Sequence, residues 1–164
     1  MSTLHVLGIG SPFGDDHLGF YAINILKQRP KLAQLSPQQL HLDYCDRPGM
    51  YLLELIKATQ KVFLIDAIKT GAAIGTLHCF KNEKIESINS NLSTHALGIG
   101  EAMKIGAALK ILPPNIVLYG IEIGDISGQL TMSNTIEHAL TMLCVRIERD
   151  ILSLLKRNHH ELHH

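Results

Sequence analysis

What most constrains this chain is the alternation of short, nearly unbroken apolar runs with longer stretches of helical period. Residues 4–9, 39–44, 61–66, 76–80 and 116–122 read as strands, and roughly 16–28, 49–59, 94–110 and 134–157 as helices. Strands that are apolar at consecutive positions are covered on both faces, and the intervening helices supply that cover. The expectation is a single α/β domain over residues 1–157 with a mainly parallel sheet. The linker 70–75 (Thr-Gly-Ala-Ala-Ile-Gly) is too short for a crossover helix, so strands 61–66 and 76–80 are expected to pair antiparallel.

The last helix is the clearest element. Ile136, Leu140, Leu143, Ile147, Ile151 and Leu154 recur at steps of three and four, which lays them along one stripe. Ser133 or Asn134 caps its start. Pro113-Pro114 ends the third helix and launches the last strand. The polar stretch 81–93 reads as a surface loop. Residues 158–164 form a histidine-rich tail, expected to be disordered and able to bind metal adventitiously.

Composition removes several function classes. Lys plus Arg and Asp plus Glu are each 15, so no basic excess is available to hold nucleic acid or a membrane surface. No run approaches the roughly 18 apolar residues of a membrane span. The opening MSTLHVLGIG lacks the charged segment of a signal peptide, so a cytoplasmic location is expected. Cys45, Cys79 and Cys144 are odd in number and widely spaced, which suits free thiols rather than a disulfide frame or a zinc knuckle.

The turn after the first strand carries glycines at 8, 10 and 14, one residue out of step with a dinucleotide-binding G-x-G-x-x-G. Asp15-Asp16 follows it. Two carboxylates at that position repel a pyrophosphate and suit a cation. Asp66 ends the strand Val62-Phe63-Leu64-Ile65, and His95 lies in Ser93-Thr94-His95 at the start of the third helix. In parallel α/β sheets ligands gather beyond the carboxyl ends of the strands, where these three fall. Two carboxylates and an imidazole suit a divalent ion of intermediate softness, nickel or zinc. Each also has an ordinary reading: Asp16 as a first-turn acid, Asp66 as a turn cap, His95 as a first-turn histidine. Their joint placement leaves both readings standing. His17 reads as solvent-facing. In the turn Asp43-Tyr44-Cys45-Asp46-Arg47-Pro48-Gly49, Pro48 fits a helix's first turn and Gly49 a close backbone approach. Asp46 and Arg47 are either a plain surface pair or peptide-contacting residues on the rim of the same edge.

Several segments together resemble the hydrogenase maturation endopeptidases. Gly8-Ile9-Gly10-Ser11-Pro12-Phe13-Gly14-Asp15-Asp16-His17-Leu18-Gly19 is similar to the family's opening motif. Arg47-Pro48-Gly49-Met50-Tyr51-Leu52-Leu53, Val62 to Ile68 with Gly71 and Gly75, Ser93-Thr94-His95-Ala96-Leu97-Gly98, and Leu112 to Ser133 match further segments in order. The resemblance spans residues 4–155. It implies a three-layer α/β/α sandwich with a five-stranded, mainly parallel sheet and one antiparallel strand. It also implies an aspartic-type, nickel-dependent endopeptidase that trims the C-terminal extension of the hydrogenase large-subunit precursor.

By the same resemblance, Asp16, Asp66 and His95 fall on nickel-contacting positions. The nickel is supplied by the substrate, and another divalent metal can stand in for it in the purified protein. Asp16 is the candidate general base, and Asp46 and Arg47 are candidate substrate contacts. The expected partner is the precursor alone, with no nucleic acid or membrane, and the expected state is a monomer. Ser11 and His17 depart from the family's usual Asn and Gly, and Cys45-Asp46-Arg47 replaces a common Asp-Gly-Gly-Thr. The departures at Ser11 and His17 keep one rival expectation, a chaperone that holds the precursor without cutting it; a second is a small-molecule hydrolase or nucleotide-binding domain, against which the acid pair and the displaced third glycine argue.

Overall fold

The computed structural model describes residues 4–10, 17–86, 99–124 and 131–162, with side chains up to Asn158. Strands β1 (Leu4–Gly10), β2 (Leu40–Asp46), β3 (Lys61–Ile68), β4 (Leu77–Lys81) and β5 (Asn115–Glu122) form one sheet in the order β2-β1-β3-β5-β4. All neighbours are parallel except β4, which runs antiparallel to β5. The helices are α1 (Leu18–Lys27), α2 (Pro30–Ala33), α3 (Tyr51–Ile56), α4 (Glu83–Glu86), α5 (Ile99–Ala108) and α6 (Asn134–Leu162).

Two apolar layers hold the sandwich. On one face Leu4, Val6, Phe63, Ile65, Tyr119 and Ile121 pack against α1 and α6. On the other, Leu7, Ile9, Val62, Leu64 and Leu118 pack against α3 and α5. Every residue of β1 is buried, and all of β3 except Lys61, as two-sided cover requires. The expected stripe of α6 lies in the first layer, with Ile136, Leu143, Ile147 and Ile151 fully buried. The helix begins at Asn134, and the Glu137 amide donates to the Ser133 carbonyl 3.0 Å away.

The first contact between layers is unusually close. A Cβ on Gly8 would collide with the Gly19 carbonyl oxygen, and one on Gly19 with the Ile9 carbonyl oxygen. Glycine at both positions lets α1 lie directly on β1.

Several expectations are corrected. Strand β4 pairs with β5 and not with β3, because β3 already has β1 and β5 on its two edges. The connector passes over the end of β5, where the Gly75 amide bonds the Glu122 carbonyl and the Glu122 amide bonds the Thr76 carbonyl. Within 81–93, Glu83–Glu86 form a helical turn with Ile85 fully buried; residues 87–93 lie outside the described residues. Helix α3 starts two residues later than expected, since Gly49 has φ +54° and cannot join a right-handed helix. The helix α2, set off by Pro30, was not anticipated. Helix α6 runs to Leu162, so residues 158–162 continue a helix instead of forming a disordered tail. No Gly or Pro interrupts that segment, and each added residue gains one helical bond.

Candidate functional site

The chain order itself creates a crevice. From β1 the connection to β2 goes to one side, whereas β3 lies on the other. The carboxyl ends of β1 and β3 therefore flank a point where the winding reverses, the usual ligand position in open α/β sheets. Asp66 sits near the end of β3 on this edge. It is 1% exposed, and its Oδ1 accepts a 2.8 Å bond from the Ala67 amide. A carboxylate held this deep at a strand end is expensive and needs compensation from bonds or a cation. Along β3 it shares a face with Val62, Leu64 and Ile68, the side covered by α3 and α5. Asp16 and His95, expected beside it, lie outside the described residues.

Next to Asp66, β5 contributes a residue that sequence reasoning missed. Glu122 is 2% exposed and pairs in register with Ile68. Its Oε2 accepts from the amides of Thr70 (2.7 Å) and Gly71 (3.3 Å), and its Oε1 accepts from the Thr70 hydroxyl (2.6 Å). His78 Nε2 lies 3.0 Å from the same Oε1. Burial alone pushes this carboxyl up, but the bonds from Thr70, His78 and Gly71 outweigh it and hold it below its ordinary value. Glu122 thus pins the loop after β3 to the end of β5. The only local signal was a glutamate closing an apolar strand.

On the other side of the crevice, Asp46 ends β2 opposite Gly10, and the Arg47 amide donates to the Gly10 carbonyl at 2.9 Å. The Arg47 guanidinium forks onto Asp46, with Nε to Oδ1 at 3.1 Å and Nη2 to Oδ2 at 3.3 Å, and both side chains are exposed. The pair therefore stands on the rim, at the carboxyl edge. Gly49 is needed for its positive φ; none of the described residues approaches where its Cβ would be, so the expected close contact is not found among them. His17 is half-buried, stacked on Phe20 at 4.5 Å and edge-on to Tyr21 and Tyr44, which corrects its solvent-facing reading. Flat apolar rings on α1 and β2 draw the imidazole in.

Thiol chemistry is not prepared at this edge. Burial, with Asp43 and Asp46 nearby, pushes the Cys45 thiol up, and burial pushes Cys144 up to about 12. All three cysteines are free. A groove of about 470 Å³ opens between α1 and the start of α6, lined by Tyr21, Ile25, Met132, Glu137 and Leu140. Among the described residues no helix is long and apolar enough to cross a membrane.

A five-stranded, mainly parallel sheet between helical layers, with a buried carboxylate at its switch point and a charged rim, defines an α/β/α sandwich whose candidate site lies at the carboxyl edge. Residues 47–150 match the family model described as hydrogenase maturation protease, HycI, and the chain belongs to that family of peptidases. Asp66 and His95 fall within the matched stretch; Asp16 precedes it. The hydrogenase expression/formation protein HoxM of Cupriavidus necator is 28% identical over 142 residues, covering 82% of this chain and 68% of that protein. HupM of Azotobacter chroococcum mcd 1 is 24% identical, over 90% of this chain and 73% of its own length. The fold matches the hydrogenase maturating endopeptidase HybD from E. coli with a TM-score of 0.73 at 22% identity, covering 92% and 94% of the two chains. It also matches the [NiFe] hydrogenase maturation protease HycI from Thermococcus kodakarensis KOD1, with a TM-score of 0.69, 22% identity and 93% of each chain.

Proposed function

We propose that this chain is the endopeptidase that removes the C-terminal extension of a nickel-loaded hydrogenase large-subunit precursor, and that the nickel carried by the substrate is what it recognises. The observation that carries the reading is Asp66, a carboxylate buried at the reversal point of the sheet and one strand from β1, whose exit leads to Asp15-Asp16. In this proposal Asp66, Asp16 and His95 offer two oxygens and one nitrogen to an ion already held by the precursor. That donor set suits nickel and leaves coordination to be completed by the substrate. Asp16 is the proposed general base for the attacking water. Asp46 and Arg47 stand where an extended peptide leaving the crevice would meet a carboxylate and a guanidinium. The groove beside Tyr21 offers an apolar wall to the same peptide.

The binding sequence follows from the chemistry. A precursor without nickel presents no ion to Asp66 and is not held in register for cleavage. Once the extension is lost, the trimmed terminus no longer occupies the crevice and the product leaves.

The test is to incubate nickel-loaded and nickel-free precursor with the protein and follow the mass of the large subunit. Cleavage of the loaded form alone is expected. Asp66→Asn and His95→Ala are each expected to abolish it. Equal cleavage of both forms would remove the nickel from recognition, and an intact precursor retained in a stable complex would make the chain a holding factor rather than a peptidase.

A further inference from the structure

A second cluster of metal-ligating side chains lies away from the carboxyl edge. His5 of β1 and His41 of β2 are direct register partners, and Asp43 stands opposite Leu7, on the same face two residues on. One ligand atom from each of the three lies within 4.8 Å of the others. His5 is only 7% exposed, and its Nε2 has no hydrogen-bond partner among the described residues. A buried imidazole nitrogen normally finds a donor, an acceptor or an ion, so this atom needs an explanation. Its ring meets that of His41 edge-on, with centroids 4.8 Å apart. His41 Nε2 and Asp43 Oδ2 are 3.7 Å apart, too far for a hydrogen bond between them. Asp43 is oriented by its other oxygen, which accepts from the Tyr44 amide at 2.8 Å.

We propose that His5, His41 and Asp43 form a binding site for one divalent transition ion of the zinc class, which fastens edge strand β2 to β1. Zinc–nitrogen and zinc–oxygen bonds of about 2.0–2.2 Å in a tetrahedron set ligand atoms about 3.3 Å apart. The 3.7 Å pair is already close to that spacing. His41 and Asp43, each half-exposed, close the remaining gap around a His5 fixed by burial. The Tyr44 amide acts on the ligating carboxylate as outer partners do in known metal sites. Water completes the fourth position from the solvent side. The site is separate from the crevice: His5 pairs with Val62, and Asp66 lies four residues farther along β3, about 13 Å in the strand direction. Its role is structural, because the ion joins two strands and faces no substrate edge.

The experiment uses the full chain with His159, His160, His163 and His164 changed to Gln, so that the tail contributes no ligands. Cobalt(II), a spectroscopic stand-in for zinc, is titrated in, and thermal unfolding is followed with and without zinc. The titration is made in an Asp66→Asn background, which breaks the donor set proposed at the crevice, and one cobalt ion with a tetrahedral visible spectrum is expected there. At a hundredfold excess over Kd, zinc should raise Tm by roughly 5–10 °C. His41→Gln and Asp43→Asn, at half-exposed positions that tolerate substitution, should each weaken cobalt binding at least tenfold and remove the Tm rise. The inference is overturned if the Asp66→Asn chain binds no cobalt, or if adding His41→Gln or Asp43→Asn to it leaves cobalt binding unchanged.

Discussion

The Glu122 carboxylate joins three pieces of chain that are distant in sequence: the end of β5, the loop at Thr70-Gly71 and His78 of β4. Because these bonds favour the ionised form, the folded-state carboxyl titrates below its ordinary range. The stability it contributes is therefore complete above the unfolded carboxyl value of about 4.3 and is lost as pH falls through the lower folded value. Glu122→Gln should cost about 1.5–3 kcal/mol at pH 7, since bonds to a charged acceptor are exchanged for weaker ones. It should also flatten the loss of stability below pH ~4.3. Urea melts at pH 7 and pH 3.5 check this: equal destabilisation at both would separate Glu122 from the acid transition. Asp66 was legible at this scale, as an acid ending an apolar run. Glu122 was not, because its partners come from a loop and a strand whose approach no local pattern encodes. The same holds for His5, which read simply as one position in an apolar strand.

At the scale of elements, apolar periodicity carried most of the information. The α6 stripe was readable because burial of one side selects every third or fourth residue. Ile147 is fully buried in that stripe whereas Met142, on the same helix, is more than half exposed. Ile147→Ala should cost about 2–5 kcal/mol and Met142→Ala stay within about 0.5 kcal/mol, measured by chemical denaturation. Similar costs would mean that α6 does not pack on the sheet as described. The pairing of β4 was misread for a definite reason. A short connector suggests adjacency, but parallel strands on both edges of β3 leave no vacancy there, and the chain steps across to β5. The turn Glu83–Glu86 was missed because its polar residues hide a single buried contact, Ile85.

For the whole molecule, the central consequence is a crevice that holds a buried carboxylate. A carboxylate buried there opposes folding to the extent that its charge goes uncompensated, and in the proposed function it is kept for the ion. Asp66→Asn keeps the shape and an oxygen for the Ala67 amide. Its Tm should stay close to that of the parent while processing is lost. A loss of about 3 kcal/mol or more would instead assign Asp66 a structural role. The primary sequence alone determined the strand and helix runs, the two-sided burial of the central strands, the resemblance to the family and the presence of Asp66 at a strand end. Each follows from residues close in the chain or from a matched order of motifs. Only the tertiary structure decided which strand β4 joins, what Glu122 holds together, and that His5, His41 and Asp43 share a face. Those outcomes depend on which parallel neighbours meet, and hydrogen bonds between strands form across long separations that local hydrophobic periods do not record.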